Sequence, residues 1–112
     1  MFGSIKEIDA ADLANWLESI SEGLRVIDVR ELREIAHGIV PGAEAVPLAT
    51  LPLRLNEFAV DEKLVLVCRS GARSAQACMF LQQQGFDQVF NLRGGMIGWA
   101  GMQLPIAAYA NV

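Results

Sequence analysis

The sequence predicts an α/β protein, a parallel sheet with helices packed on both of its faces. Three observations carry that reading. Short β-branched or apolar runs alternate with segments of helical period, the pattern of strand–helix–strand units. Hydrophobic residues make up 53% and charged residues 20% of the chain, which suits a filled core and excludes a disordered one. The 112 residues fit one compact domain, 1–112, at about 150 residues per domain. A domain of this size buries roughly two thirds of the surface its unfolded chain exposes.

Taken in order, Ser4 to Ile8 reads as a short edge strand. Asp9 can cap the stretch from Ala10 to Ile20, where Leu13, Leu17 and Ile20 recur at helical spacing, and Gly23 closes it. Arg25 to Arg30 is β-branched and bounded, hence a buried strand. Glu31 to Ala36 forms a short helical turn, and Gly38 with Pro41-Gly42 marks a loop. Ala45 to Leu48 reads as strand, followed by a short helix from Pro52 to Phe58. Leu64 to Cys68 is the clearest strand and Ala72 to Gln84 the clearest helix, with Ala77, Cys78 and Leu81 facing the core and Gly85 as its stop. Gln88 to Asn91 reads as a last strand and Gly95 to Gly101 as a final helix, with Trp16 and Trp99 filling the core. Ligands of such sheets bind beyond the carboxyl ends of the strands, the edge where Asp28, Arg30, Cys68 and Gly94 should gather.

Charge narrows the partners. Nine basic side chains oppose thirteen acidic ones, a net charge of −4 with no Lys/Arg cluster, which argues against nucleic acid and anionic membrane. The strongly apolar run Leu64 to Cys68 is far too short to span a bilayer. The first thirteen residues, MFGSIKEIDAADL, lack the basic start and apolar stretch of a signal peptide, so a cytoplasmic protein is expected. The charge is also uneven: residues 1–63 carry 6 basic and 12 acidic groups, whereas 64–112 carry Arg69, Arg73 and Arg93 against Asp87 alone. The two parts are therefore −6 and +2.

Two cysteines in such a chain do not make a disulfide scaffold. Cys78 falls roughly 10 Å along a helix that starts after Cys68, beyond the reach of a bridge. Neither thiol, nor the lone His37, has metal-ligand spacing, so no metal or other cofactor is expected. Cys78 reads as a core residue and His37 as a loop residue.

The chemistry concentrates in Cys68-Arg69-Ser70-Gly71-Ala72-Arg73-Ser74, where a buried strand ends in a thiol and a small-residue loop leads into a helix. If the loop curls, its backbone N–H groups converge on one spot and form an anion nest, and the helix adds its positive end there. Both features, with Arg69 and Arg73, should lower the thiol pKa. Gly71 supplies the backbone freedom such a curl needs. The loop holds no His, Asp or Glu to act as a base, so protease-like or amidase-like chemistry lacks its second member. Asp28 can orient the Cys68 loop, pair with Arg73, or cap a neighbouring element.

Several segments resemble, in order, the motifs of single-domain rhodanese-like sulfurtransferases. Asp28-Val29-Arg30-Glu31 is similar to the family's strand-end motif, and Gly38-Ile39-Val40-Pro41-Gly42-Ala43 with Val46-Pro47-Leu48 to its loop-and-strand signature. Cys68 to Ser74 resembles the active-site loop, and Asn91-Leu92-Arg93-Gly94-Gly95 with Trp99 the closing motif. The likeness runs from about Ile5 to Ile106. It implies a rhodanese-like three-layer fold whose parallel sheet has five strands. It also implies a persulfide mechanism, in which Cys68 takes the outer sulfur of an anionic donor such as thiosulfate and passes it to a thiol or cyanide acceptor. Arg69, Ser70, Gly71, Ala72, Arg73 and Ser74 would bind the donor, and Asp28 and Arg30 would support the site. Where the family often has a histidine, this chain has Ile39, so no histidine-dependent step is expected.

Two other functions compete. A persulfide carrier, taking sulfur from a cysteine desulfurase and handing it to a protein acceptor, needs the same loop. A small phosphatase needs a longer one, with five residues between cysteine and arginine where this chain has four. The apolar end from Leu104 to Val112 is expected to pack on the domain.

Overall fold

The computed structural model describes residues 5–20 and 22–109. Five strands form one sheet in the order β1-β5-β4-β2-β3, and every pair is parallel. The strands are β1 (Lys6–Ile8), β2 (Leu24–Asp28), β3 (Glu44–Ala45), β4 (Lys63–Val67) and β5 (Val89–Leu92). Between them run α1 (Ala10–Ser19), α2 (Leu32–Ile35), a 3-10 segment (Leu48–Glu57) and α3 (Ala72–Gln83), with α4 (Gly95–Gly101) after β5.

Strand alternation splits the core into two layers. Ile27, Leu64, Leu66 and Val89 face Leu51 and Phe58 of the 3-10 side together with Cys78 and Leu81 of α3. On the other face Val26, Val65, Val67 and Leu92 meet Ala10 and Leu13 of α1 and Met96 and Trp99 of α4. Successive side chains of β4 therefore serve opposite layers, as the two-residue strand period requires. Helices cover both faces, as the alternation implied.

The ends of the elements follow local chemistry. Asp9 caps α1 in a reciprocal box: its carboxylate accepts the Asp12 N–H at 2.8 Å and Asp12 accepts the Asp9 N–H at 3.1 Å. Leu17, which shares the helical spacing of Leu13, is 38% exposed, because α1 buries only Ala10 and Leu13. Trp16 is half-buried rather than in the core, edge-on to Phe90 with the Lys63 ammonium over its ring. Trp99 is buried. The strand expected over Ala45 to Leu48 ends at Ala45, since Pro47 has no N–H for a ladder. The 3-10 segment then starts at Leu48 and holds Pro52 within it. Ser4 and residues 110–112 lie outside the described residues.

The segment after α4 packs on the domain. The Trp99 indole N–H donates to the Pro105 carbonyl at 2.7 Å, and Ile39 and Ala107 exchange backbone bonds at 3.0 and 2.8 Å.

Candidate functional site

The sheet register decides what meets at its carboxyl edge. Asp28 lies opposite Val67, and Leu66 opposite Asn91, so the chain leaves β2, β4 and β5 at one level. Cys68 is the first residue beyond β4 and is 1% exposed. Its carbonyl and that of Arg69 accept the first free N–H groups of α4, from Met96 at 2.9 Å and from Ile97 at 3.1 Å. Helix N–H groups left open by the first turn are thus satisfied by the loop. The same contact turns the loop carbonyls outward and its N–H groups inward.

Two glycines permit this approach. A Cβ on Gly95 would lie 2.5 Å from the carbonyl oxygens of both Cys68 and Arg69, at a backbone φ of +54°. Gly71 adopts φ +108° as the N-cap of α3 and donates its N–H to Cys68 Sγ at 3.0 Å. Ser74, fully buried in the first turn of α3, places its hydroxyl 3.3 Å from the same sulfur. Burial is the largest influence on the thiol and pushes its pKa up. The Ser74 hydroxyl and the N–H groups of Ser74, Gly71 and Ser70 outweigh it together, so the net shift is downward. Cys78, by contrast, sits in the core layer under α3, and desolvation pushes its thiol up to about 12. Both thiols are free.

Arg73 is placed differently from expectation. Arg73 turns to Glu34 of α2, with Nη1 2.6 Å from Oε1 and Nη2 2.8 Å from Oε2. Glu34 is held at about 2 by this pair. Arg73 is raised, chiefly by Glu34, with the charge of Cys68 a smaller contribution. The sulfur therefore owes its lowered pKa to the nest, and Arg73 is largely neutralised by a carboxylate. The Arg69 side chain is exposed and makes no hydrogen bond or ion pair among the described residues. It lines a depression of about 360 Å³ with Glu34, His37, Met96 and Ile97. A second depression of about 690 Å³ brings Arg73 beside Leu32, Leu48 and Ala49. Ser70 is exposed on the loop and Ala72 at the start of α3.

Asp28 does not pair with Arg73, nor does its carboxylate bond to the Cys68 loop. It is buried and accepts the backbone N–H of Arg30 at 3.0 Å and its guanidinium Nη2 at 2.8 Å. Arg30 also donates to the carbonyls of Gly38 at 2.7 Å and Glu34 at 3.4 Å. A side chain two residues away reaches Asp28 with no rearrangement, whereas Arg73 already has a bidentate partner. Of the three roles open to Asp28, capping the adjacent turn is the one observed. Together Asp28 and Arg30 set α2, and α2 carries Glu34 to Arg73.

Three residues of the site were not marked as such by the sequence, although Asn91 opens the closing motif. For Glu34 the only signal was the −6/+2 charge split, which leaves acids of the first part available to the later arginines. Asn91 is a buried polar residue in an apolar strand, a pattern that asks for partners. It donates to the Gly71 carbonyl at 3.1 Å and to Glu7 Oε2 at 3.0 Å. Glu7, from β1, is the third.

A doubly covered parallel sheet with a cysteine cradled by N–H groups at a central strand end defines a class of thiol-bearing α/β domains. The chain belongs to the rhodanese-like domain family, whose model matches residues 9–102. It is similar to a sulfurtransferase of Allochromatium vinosum, 45% identical over 104 residues that cover 93% of this chain and 96% of that protein. A rhodanese-like domain protein from Staphylococcus aureus superposes with a TM-score of 0.83 at 33% identity, over 95% of this chain and 100% of that one. The thiosulfate sulfurtransferase GlpE of Glaesserella parasuis is 29% identical over 91 residues, 81% of this chain and 84% of that protein.

Proposed function

We propose that the chain is a thiosulfate-type sulfurtransferase with Cys68 as its nucleophile. The observation that carries this reading is the sulfur's environment: a buried sulfur facing the N–H of Gly71 at 3.0 Å, its pKa lowered by the loop. The Cys68 thiolate attacks the outer sulfur of thiosulfate. The new S–S bond forms as the old one breaks, and sulfite leaves with the electron pair. The resulting persulfide is again an anion, and the N–H groups that favoured the thiolate favour it too. An acceptor such as cyanide then attacks the outer sulfur, giving thiocyanate and returning the thiolate. No proton has to move, which agrees with a loop that holds no acid or base.

Arg69 is the cation free to meet the donor's sulfonate end, with Ser70, Gly71, Ala72, Arg73 and Ser74 forming the rest of the binding loop. The outward turn of Arg73 favours sulfur over phosphate, since a guanidinium held by Glu34 is not available to clamp a phosphoryl group. No helix among the described residues is long and apolar enough to cross a membrane. An unpaired reactive thiol suits the reducing cytoplasm.

Intact mass after incubation with thiosulfate tests the reading, with sulfite followed in parallel and Cys68→Ser as control. The expected result is a one-sulfur gain that requires Cys68 and is lost on adding cyanide. No gain in folded protein with a free thiol overturns the thiosulfate reading. A gain from a cysteine desulfurase with cysteine alone would then assign the chain to a sulfur relay.

A further inference from the structure

The hydrogens around Cys68 do not suffice for all the acceptors, and the shortage has a direction. Asn91, on β5 and 2% exposed, spends both amide hydrogens, one on Glu7 Oε2 at 3.0 Å and one on the Gly71 carbonyl at 3.1 Å. Its oxygen therefore faces Ser74 as an acceptor only, 2.5 Å from the hydroxyl. The Ser74 hydroxyl has a single hydrogen, and Cys68 Sγ lies 3.3 Å away on its other side. A neutral thiol completes the chain: S–H donates to Ser74, Ser74 to Asn91, and Asn91 to Glu7 and Gly71. An anionic sulfur breaks it. The serine hydrogen then turns to the sulfur and leaves the buried Asn91 oxygen unpaired, or it stays and the sulfur does without it. Either way a buried acceptor is left short.

We propose that Asn91 is a positioning residue for Cys68, holding the single Ser74 hydrogen in competition with the sulfur and so restraining how readily the sulfur carries charge. Glu7 and the Gly71 carbonyl fix the sense of the competition, because two acceptors on one side of the amide prevent it from flipping. The ionisable neighbours of the sulfur are Arg73 and Cys78 from α3, with Glu34 behind Arg73 from α2 and Glu7 from β1 behind the Asn91 amide. None of them supplies the missing hydrogen: Glu7 is bound to the amide, Arg73 to Glu34, and Cys78 faces the core layer. The inference extends the proposed function to a residue outside the loop.

The test is the pH dependence of Cys68 alkylation by iodoacetamide, which needs no sulfur donor and so succeeds or fails independently of the thiosulfate reading. Asn91→Leu removes the competing oxygen and frees the Ser74 hydrogen. The expected result is a thiol midpoint about one unit lower, a tenfold larger thiolate fraction below the midpoint. In a Ser74→Ala background the same change should produce no such fall. A rise in both backgrounds, or an equal shift in both, would mean that Asn91 merely holds the loop, and overturns the proposal. Should Asn91→Leu not fold, the unaltered protein provides the second measurement. The Asn91 side-chain carbonyl carbon resonance should move with the Cys68 midpoint as the serine hydrogen leaves it. A resonance that does not titrate with Cys68 overturns the proposal equally.

Discussion

Arg73 and Glu34, 39 positions apart in sequence, form a two-pronged ion pair at the mouth of the cysteine loop, 2.6 and 2.8 Å between the paired atoms. The pair bears on the proposed meeting of the loop with an anionic donor. A guanidinium pointing into open solvent would draw a sulfonate by itself, but one tied to a carboxylate presents little net charge. Glu34→Gln should therefore lower the KM for thiosulfate about fivefold, since a unit charge about 4 Å away is worth about 1 kcal/mol in water. Arg73→Ala should raise it by a similar factor, because it leaves Glu34 facing the donor. Steady-state kinetics with the two variants checks both signs.

The same pair makes stability depend on acid. Arg73 holds Glu34 at about 2 in the folded protein, below its ordinary 4.5. A carboxylate depressed by folding stabilises the fold fully above its unfolded pKa, and that contribution fades as pH falls from about 4.5 to about 2. Both side chains are partly exposed, so its size should be about 1 kcal/mol. Urea unfolding of Glu34→Gln against the parent should differ by that amount at pH 7 and converge near pH 2.

The two thiols should part cleanly in reactivity. Loop hydrogen bonds lower the Cys68 pKa, whereas burial lifts that of Cys78 to about 12. Alkylation of native protein should add one label, on Cys68, with a midpoint below the usual thiol value of about 8.5. A second label should appear only in denaturant, as peptide mass spectrometry would show.

Cys78→Ala should lower stability by about 1 kcal/mol and leave sulfur transfer in place, because its sulfur fills core space between α3 and the sheet. Thermal unfolding and a thiocyanate assay on the same sample would separate the two effects.

Gly95→Ala should be far more damaging. The new methyl would meet the Cys68 and Arg69 carbonyl oxygens at 2.5 Å, and those atoms are backbone that cannot rotate away. A cost of about 2–4 kcal/mol is expected, together with a thiol midpoint shifted upward as the loop N–H groups leave the sulfur. Gly101→Ala, where the glycine has open space, is the matching control.

The class of fold, the place of the cysteine and the small-residue loop behind it are legible in the sequence residue by residue. Those features are local. Strand period, the Asp9 cap, the small residues from Ser70 to Ala72 and the glycines before α4 act over a few positions, so their consequences can be inferred from neighbours alone. Which groups face one another is a matter of how the distant elements assemble. Glu34 reaches Arg73 because α2 is set by Asp28 and Arg30, and Glu7 reaches Asn91, 84 positions away, because β1 lies beside β5 in register. Leu17 shares the helical spacing of Leu13 and is still exposed, because the depth to which α1 is covered depends on the sheet beneath it. A polar side chain has a nearly fixed set of hydrogens and lone pairs in any sequence, and which partners come within 3 Å of them is a property of the assembled sheet.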